Sequence, residues 1–112
     1  MEIREEKRDG ILIVTVSGML DASNYLELDT FVQEQYGAGV RSFIFNLHKL
    51  EYLSSAGVRV FIKTFRALSS DNGSMAFSSL QPFVHEIFDI AGLASKFQIF
   101  PDDDSALRAL SD

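Results

Sequence analysis

Two adjacent serines, Ser54 and Ser55, sit in the run Leu50-Glu51-Tyr52-Leu53-Ser54-Ser55-Ala56-Gly57-Val58, where a strand-to-helix loop becomes the first turn of a helix. Backbone N–H groups in a first helical turn have no intrahelical acceptor, and the helix dipole favours negative charge there. A phosphate on either hydroxyl would therefore be well placed. The plainer reading is that one serine caps the helix, and on local physics alone it is the weightier of the two. A nucleophilic serine is weaker still. The Gly-x-Ser-x-Gly elbow needs glycine where Leu53 stands, and His85 lies downstream within a different helix.

Little else in the chain could do chemistry. The two histidines, His48 and His85, have no metal-ligand spacing to each other or to a pair of carboxylates. The seven glycines are scattered through turns and form neither a Gly-x-Gly-x-x-Gly fingerprint nor a phosphate loop. The run Asp102-Asp103-Asp104 precedes a helical pattern, and the dipole explains acidic residues at a helix start without a bound cation. No cofactor and no metal are expected.

Composition narrows the function further. A chain of 112 residues, 46% hydrophobic and 23% charged, fits a single domain spanning residues 1–112. It has no cysteine, which excludes a disulfide framework and zinc-thiolate chemistry. Its net charge of -6 would repel a phosphate backbone, so direct nucleic-acid binding is not expected. No apolar run approaches the roughly 20 residues of a membrane-spanning helix, and the N-terminal Met1-Glu2-Ile3-Arg4-Glu5-Glu6-Lys7-Arg8 lacks the apolar core of a secretory signal. The expectation is a cytoplasmic protein without membrane insertion.

The elements that must hold the serine turn alternate in type. Glu2 to Arg8 reads as a solvated edge strand, Asp9-Gly10 as a hairpin turn, and Ile11 to Val16 as a buried strand pairing antiparallel with the first. Asp21 is the expected N-cap of a helix in which Tyr25, Leu28, Phe31, Val32 and Tyr36 recur at helical spacing up to Gly37 and Gly39. Phe43 to Leu47 is a short apolar strand. In the second helix Val58, Phe61, Ile62, Phe65 and Leu68 mark the inward face, with Arg59, Lys63 and Arg66 opposite. Met75 to Leu80 is the next strand, and Pro82 opens a third helix with Phe83, Val84, Ile87 and Phe88 inward. Lys96 to Phe100 is the last strand, followed by a helix carrying Ala106, Leu107 and Leu110. The order β-β-α-β-α-β-α-β-α predicts an α/β fold with a mixed, mainly parallel five-stranded sheet and four helices.

These features together carry a resemblance. The element order, the Ser17-Gly18-Met19-Leu20-Asp21 segment, the strand ending in Asn46-Leu47, the Leu53-Ser54-Ser55-Ala56-Gly57-Val58 turn and the Ile87-Phe88-Asp89-Ile90-Ala91-Gly92-Leu93 stretch resemble a STAS domain, specifically a stand-alone anti-sigma factor antagonist. The resemblance covers essentially the whole chain. In that family a serine at the start of the second helix, two residues before a glycine, is phosphorylated by an anti-sigma factor that is also a serine kinase. Carried over, that serine is Ser55, two before Gly57. Many members carry Asp immediately before it, where this chain has Ser54, which leaves Ser54 as a lesser candidate. Asp21 matches the family's acidic residue before the first helix.

What the resemblance implies is a partner switch without enzymatic activity. The unphosphorylated protein binds the anti-sigma factor serine kinase and frees a sigma factor; phosphorylation releases the kinase, and a metal-dependent serine phosphatase resets the protein. The expected partner face comprises Asp21, Ser54, Ser55, Gly57, Arg59 and Lys63, the last two also readable as an ordinary solvated helix face. A STAS subunit of a transporter-associated or stress-signalling complex is the alternative, and a small enzyme a distant third.

Overall fold

Alternation along the central strands decides the architecture, because successive side chains point to opposite faces of a sheet. In a computed structural model, which describes residues 1–111, the order is β1 (Glu2–Arg8), β2 (Ile11–Leu20), α1 (Tyr25–Gly37), β3 (Ser42–Asn46), β4 (Leu50–Leu53), α2 (Ser55–Ser70), β5 (Ser74–Ser78), α3 (Pro82–Ile90), β6 (Gln98–Phe100) and α4 (Asp103–Ser111). Leu12, Val14 and Val16 of β2 share one face with Phe43 and Phe45 of β3 and Met75 and Phe77 of β5, and α1, α2 and α3 cover it. Ile11, Ile13, Ile44 and Ala76 point to the other face, where Ala106 and Leu107 of α4 cover them. Both faces are thus buried, which explains why β3 reads as a nearly continuous apolar run.

The strand order is β1-β2-β3-β5-β6, with β4 pairing with the far end of β2. β1 and β2 are antiparallel, and the other pairs are parallel. The hairpin turns at Asp9 and Gly10, both left-handed with φ of 53° and 80°, as a two-residue turn matched to strand twist requires. Interlocking rings hold α2 and α3 on the sheet: Phe61 lies 5.1 Å from Phe45 and 5.0 Å from Phe77, and Phe88 lies 5.0 Å from Phe77. Their edge-to-face geometry adds to the burial of their area.

Several expectations need correction. The sheet has six strands, not five, because Leu50–Leu53 forms β4. Its burial runs buried, exposed, exposed, buried, so it shows no period of two. β2 continues past Val16 to Leu20 through a register shift between Gly18 and Met19. α1 starts at Tyr25 with Asn24 at the N-cap position, so Asp21 is not its cap. The inward face of α2 is Ala56, Gly57, Val58, Val60, Phe61, Thr64 and Leu68, while Ile62 and Phe65 are half-buried. Phe83 and Ile87 of α3 are likewise half-buried, and β6 is shorter than expected.

Candidate functional site

The ends of β2 and β4 build the serine turn. Leu20 and Leu53 are register partners at the last position of each strand, and the N–H of Ser54 donates to the Leu20 carbonyl at 2.9 Å. Ser54 is extended (φ −92°, ψ 171°), its carbonyl accepts from Val58 N at 3.0 Å, and its Oγ accepts from Gly57 N at 3.4 Å. It is therefore the N-cap of α2. Ser55 is the first residue of the helix and is exposed, whereas Ser54 is half-buried. One serine closes the helix end and the other presents its hydroxyl to solvent.

Gly57 lets the turn sit this close to the sheet. A Cβ at this position would lie 2.7 Å from Leu20 Cγ and 2.8 Å from Leu53 Cδ1, both in buried side chains. No acidic residue occupies the first turn of α2, and the cap satisfies only Gly57 N among the leading amides. The N–H groups of Ser55 and Ala56 remain for an anion.

Asp21 stands directly after Leu20 and so belongs to the turn fastened to Ser54. Its Oδ1 accepts from Ser23 N at 2.9 Å and from Ser23 Oγ at 2.6 Å, and these bonds hold the carboxyl below its ordinary value of 3.8. Asn24 completes the turn: its Oδ1 accepts from Asp21 N at 2.9 Å and its Nδ2 donates to the Met19 carbonyl at 2.7 Å. Asp21 is a turn organiser beside the serine loop rather than a helix cap.

Arg59 and Lys63 share a face of α2 but differ in surroundings. Lys63 Nζ pairs with Asp29 of α1 at 3.1 Å. Arg59 is exposed and, among the described residues, has no carboxylate within ion-pair distance. It borders a shallow groove of about 390 Å³ lined also by Leu53, Ser54, Ser55, Val58 and Ile90. Ile90 is 80% exposed, and Met19 and Tyr52, cross-strand partners one step before Leu20 and Leu53, are about half exposed. Sequence reasoning missed these exposed apolar residues. Ile90 could have been found, since it falls outside the Val84–Phe88 stripe; Met19 and Tyr52 could not, because β4 went unread.

The remaining polar candidates lie elsewhere and are satisfied locally. Asp102 accepts from Ser105 N at 2.8 Å at the start of α4, which lowers its pKa, and Asp104 faces Arg8 at 3.7 Å. Asp103 Oδ1 accepts from Asn46 Nδ2 at 3.0 Å and from the buried Ser78 hydroxyl, so it neutralises polar groups at the ends of β3 and β5. His48 Nδ1 lies 2.9 Å from Asn46 Oδ1, while His85 is exposed on α3. Among the described residues no cluster of three His, Cys, Asp or Glu is arranged to hold a metal ion, and no helix is long and apolar enough to cross a membrane.

Comparison with known proteins bears on this geometry. The STAS domain family model matches residues 2–106. BtrV of Bordetella bronchiseptica is 31% identical, over 97% of this chain and 94% of its own length. The anti-sigma F factor antagonist of Paenibacillus polymyxa is 28% identical, over all of this chain and 94% of its own. The anti-sigma factor antagonist SpoIIAA in its unphosphorylated form superposes with a TM-score of 0.83 at 18% identity, over 96% of each chain. In its phosphorylated form the Bacillus protein gives 0.78 at 17% identity, over 96% of this chain and 98% of that one. Those two likenesses concern the fold.

Proposed function

The chain belongs to the STAS domain family, and from that premise we propose that it is an anti-sigma factor antagonist switched by phosphorylation of Ser55. The observation that carries the reading is the division of labour between the two serines. Ser54 Oγ is engaged with Gly57 N, while Ser55 is exposed on the first turn with the Ser55 and Ala56 amides beside it. A kinase needs an accessible hydroxyl, and of the two serines Ser55 is the more exposed, which supports it as the acceptor.

In this reading the protein is a cytoplasmic binding module with no catalytic centre of its own. Its docking face is the serine turn with Asp21, Ser54, Ser55 and Gly57, flanked by Arg59 and Lys63 and by the exposed Ile90. Unphosphorylated, it holds the anti-sigma serine kinase and leaves a sigma factor free. The kinase transfers the γ-phosphoryl group of ATP to Ser55 Oγ as the hydroxyl proton departs. A metal-dependent serine phosphatase reverses the step with water, yielding inorganic phosphate.

Local electrostatics suffices for the switch. The phosphate brings about 1.5 to 2 negative charges into a face that must be desolvated on docking. Its resting place is the helix N-terminus, worth about 0.3–1 kcal/mol when exposed. Arg59, four residues on and on the same face, pairs with it and is thereby withdrawn from the partner. No change of fold is required.

The test is capture of partners from native lysate on immobilised protein, identified by mass spectrometry, followed by ATP addition and phosphopeptide mapping. A serine kinase of the anti-sigma type and a single phosphate on Ser55 are expected. Capture of a transporter assembly instead, or phosphate confined to Ser54, would overturn the reading.

A further inference from the structure

β1 leaves one long edge of the sheet open. From Glu2 to Arg8 every residue is exposed except the half-buried Ile3, and its ladder partner is β2. The two-residue turn at Asp9-Gly10 closes on the Arg8–Ile11 pair. Residues flanking such a turn exchange both backbone bonds, and bonded and non-bonded pairs then alternate along the ladder. Arg8, Glu6, Arg4 and Glu2 therefore direct their N–H and C=O groups to β2. Ile3, Glu5 and Lys7 direct theirs outward, without a partner among the described residues.

An open edge recruits other strands, and charged side chains are the usual deterrent. The charges of β1 are more selective than a deterrent. The strand has three acidic and three basic residues, so it is neutral in a chain of net charge -6. Glu2, Arg4, Glu6 and Arg8 lie on one face, where Arg4 pairs with Glu2 and Arg8 with Glu6. Laid antiparallel against a copy of itself and centred on Glu5, the strand matches the outward groups of Ile3, Glu5 and Lys7 with those of Lys7, Glu5 and Ile3. In the same register Glu2 meets Arg8 and Arg4 meets Glu6, each twice by symmetry. Shifted by two residues one way, Arg4 meets Arg4 and Glu2 meets Glu6; shifted the other way, Glu6 meets Glu6 and Arg4 meets Arg8. Parallel in-register pairing sets every charge against its like. Among the antiparallel registers that match the free backbone groups and pair at least five residues, this one alone sets opposite charges together along that face.

We propose that β1 is a self-recognition edge: a second copy of this chain adds to the sheet antiparallel to β1, about a two-fold axis through Glu5. Such an isologous contact closes on itself and does not propagate. The like pair Glu5–Glu5 on the axis lies diagonal to Lys7 of each copy, within reach of a long side chain. Seven residues a side is far below the roughly 20–30 of a standard interface, so the dimer is weak and depends on concentration. The pairing uses no residue of the serine turn and stands independently of the phosphorylation reading.

Sedimentation velocity over a concentration series tests it, with thermal melting as the folding control. The wild-type protein is expected to shift from monomer towards dimer as concentration rises. Arg4→Glu places Glu opposite Glu twice and should weaken association at least about tenfold. The swapped double variant Arg4→Glu/Glu6→Arg again sets opposite charges at every pair of this face in the Glu5-centred register, whereas a shift of two residues leaves a like pair on the axis, and it should recover association to within about threefold. Glu5→Pro removes an outward N–H without touching the β1–β2 ladder and should abolish the dimer. A wild-type protein monomeric at every concentration, a dimer indifferent to Arg4→Glu or Glu5→Pro, or a swapped variant that melts normally yet stays monomeric would each overturn the proposal.

Discussion

Lys63 Nζ donates to both carboxylate oxygens of Asp29, at 3.1 and 3.3 Å, so a cation that α2 carries on the same face as Arg59 is held by α1. Asp29 is largely covered in this pair, its side chain 17% exposed, whereas that of Lys63 is 60% exposed. Arg59 and Lys63, two of the three exposed cations of α2, are therefore not equivalent.

Charge reversal should separate them. Lys63→Glu sets a second carboxylate beside a largely covered one and is expected to destabilise by about 1 kcal/mol in thermal or urea denaturation. Arg59→Glu should stay within about 0.5 kcal/mol, as surface changes usually do. Against an acidic partner face it should instead slow association most at low salt, the gap closing as ionic strength rises. Unchanged association rates at every salt concentration would make Arg59 an ordinary solvated residue.

Substitution of Ser55 should leave the fold intact and divide partner binding. Ser55→Ala is expected to bind the kinase constitutively. Ser55→Asp adds about one charge and lacks the phosphate oxygens, so it should weaken binding without reproducing full release. Calorimetric titration decides; equal affinity for all three forms would place the serine turn outside the interface.

Ser54 should answer to a different measurement. Loss of its cap in Ser54→Ala removes a long 3.4 Å bond, so the cost should fall near the low end of the usual range, about 0.5–1 kcal/mol. Ser55 should still accept phosphate in this variant, which mapping of the modified peptide would reveal.

Gly57→Ala is expected to destabilise by about 1–3 kcal/mol in urea denaturation, because its Cβ overlaps Leu20 and Leu53 at the strand ends. A variant as stable as the wild type would mean that those leucines yield at no cost.

The turn at Asp21 predicts a pH dependence. Its carboxyl titrates below 3.8 in the folded protein because Ser23 bonds the charged form. A depressed folded pKa stabilises above the unfolded value and loses that stabilisation as pH falls through the folded one. The stability gap between the wild-type protein and Asp21→Ala should thus be constant near neutral pH and shrink below about pH 4. A gap that widens on acidification would contradict the assignment.

The amino-acid sequence by itself determined what short-range periodicity and turn chemistry can carry. Ile11 to Val16 and Phe43 to Asn46 are strands because apolar runs of that length bounded by turn residues bury both faces; Asp9-Gly10 is a hairpin because both residues tolerate positive φ. The serines at the head of α2 were legible as a helix start, since four unpaired amides follow from any such end. Long-range contact decided the rest. β4 has a four-residue pattern without alternation and exists only because β2 runs on to Leu20 and offers it an edge. Which serine caps α2 depends on where the Leu20 carbonyl holds Ser54, and no local pattern distinguishes two neighbouring hydroxyls. Asp21 reads as a cap from its type, yet Asn24 holds that position because the turn after β2 takes three more residues to reach α1. Lys63 reads as free because its partner, Asp29, lies 34 residues away. Charge pairs and exposed apolar residues are properties of surfaces, and surfaces are assembled from segments that only packing brings together.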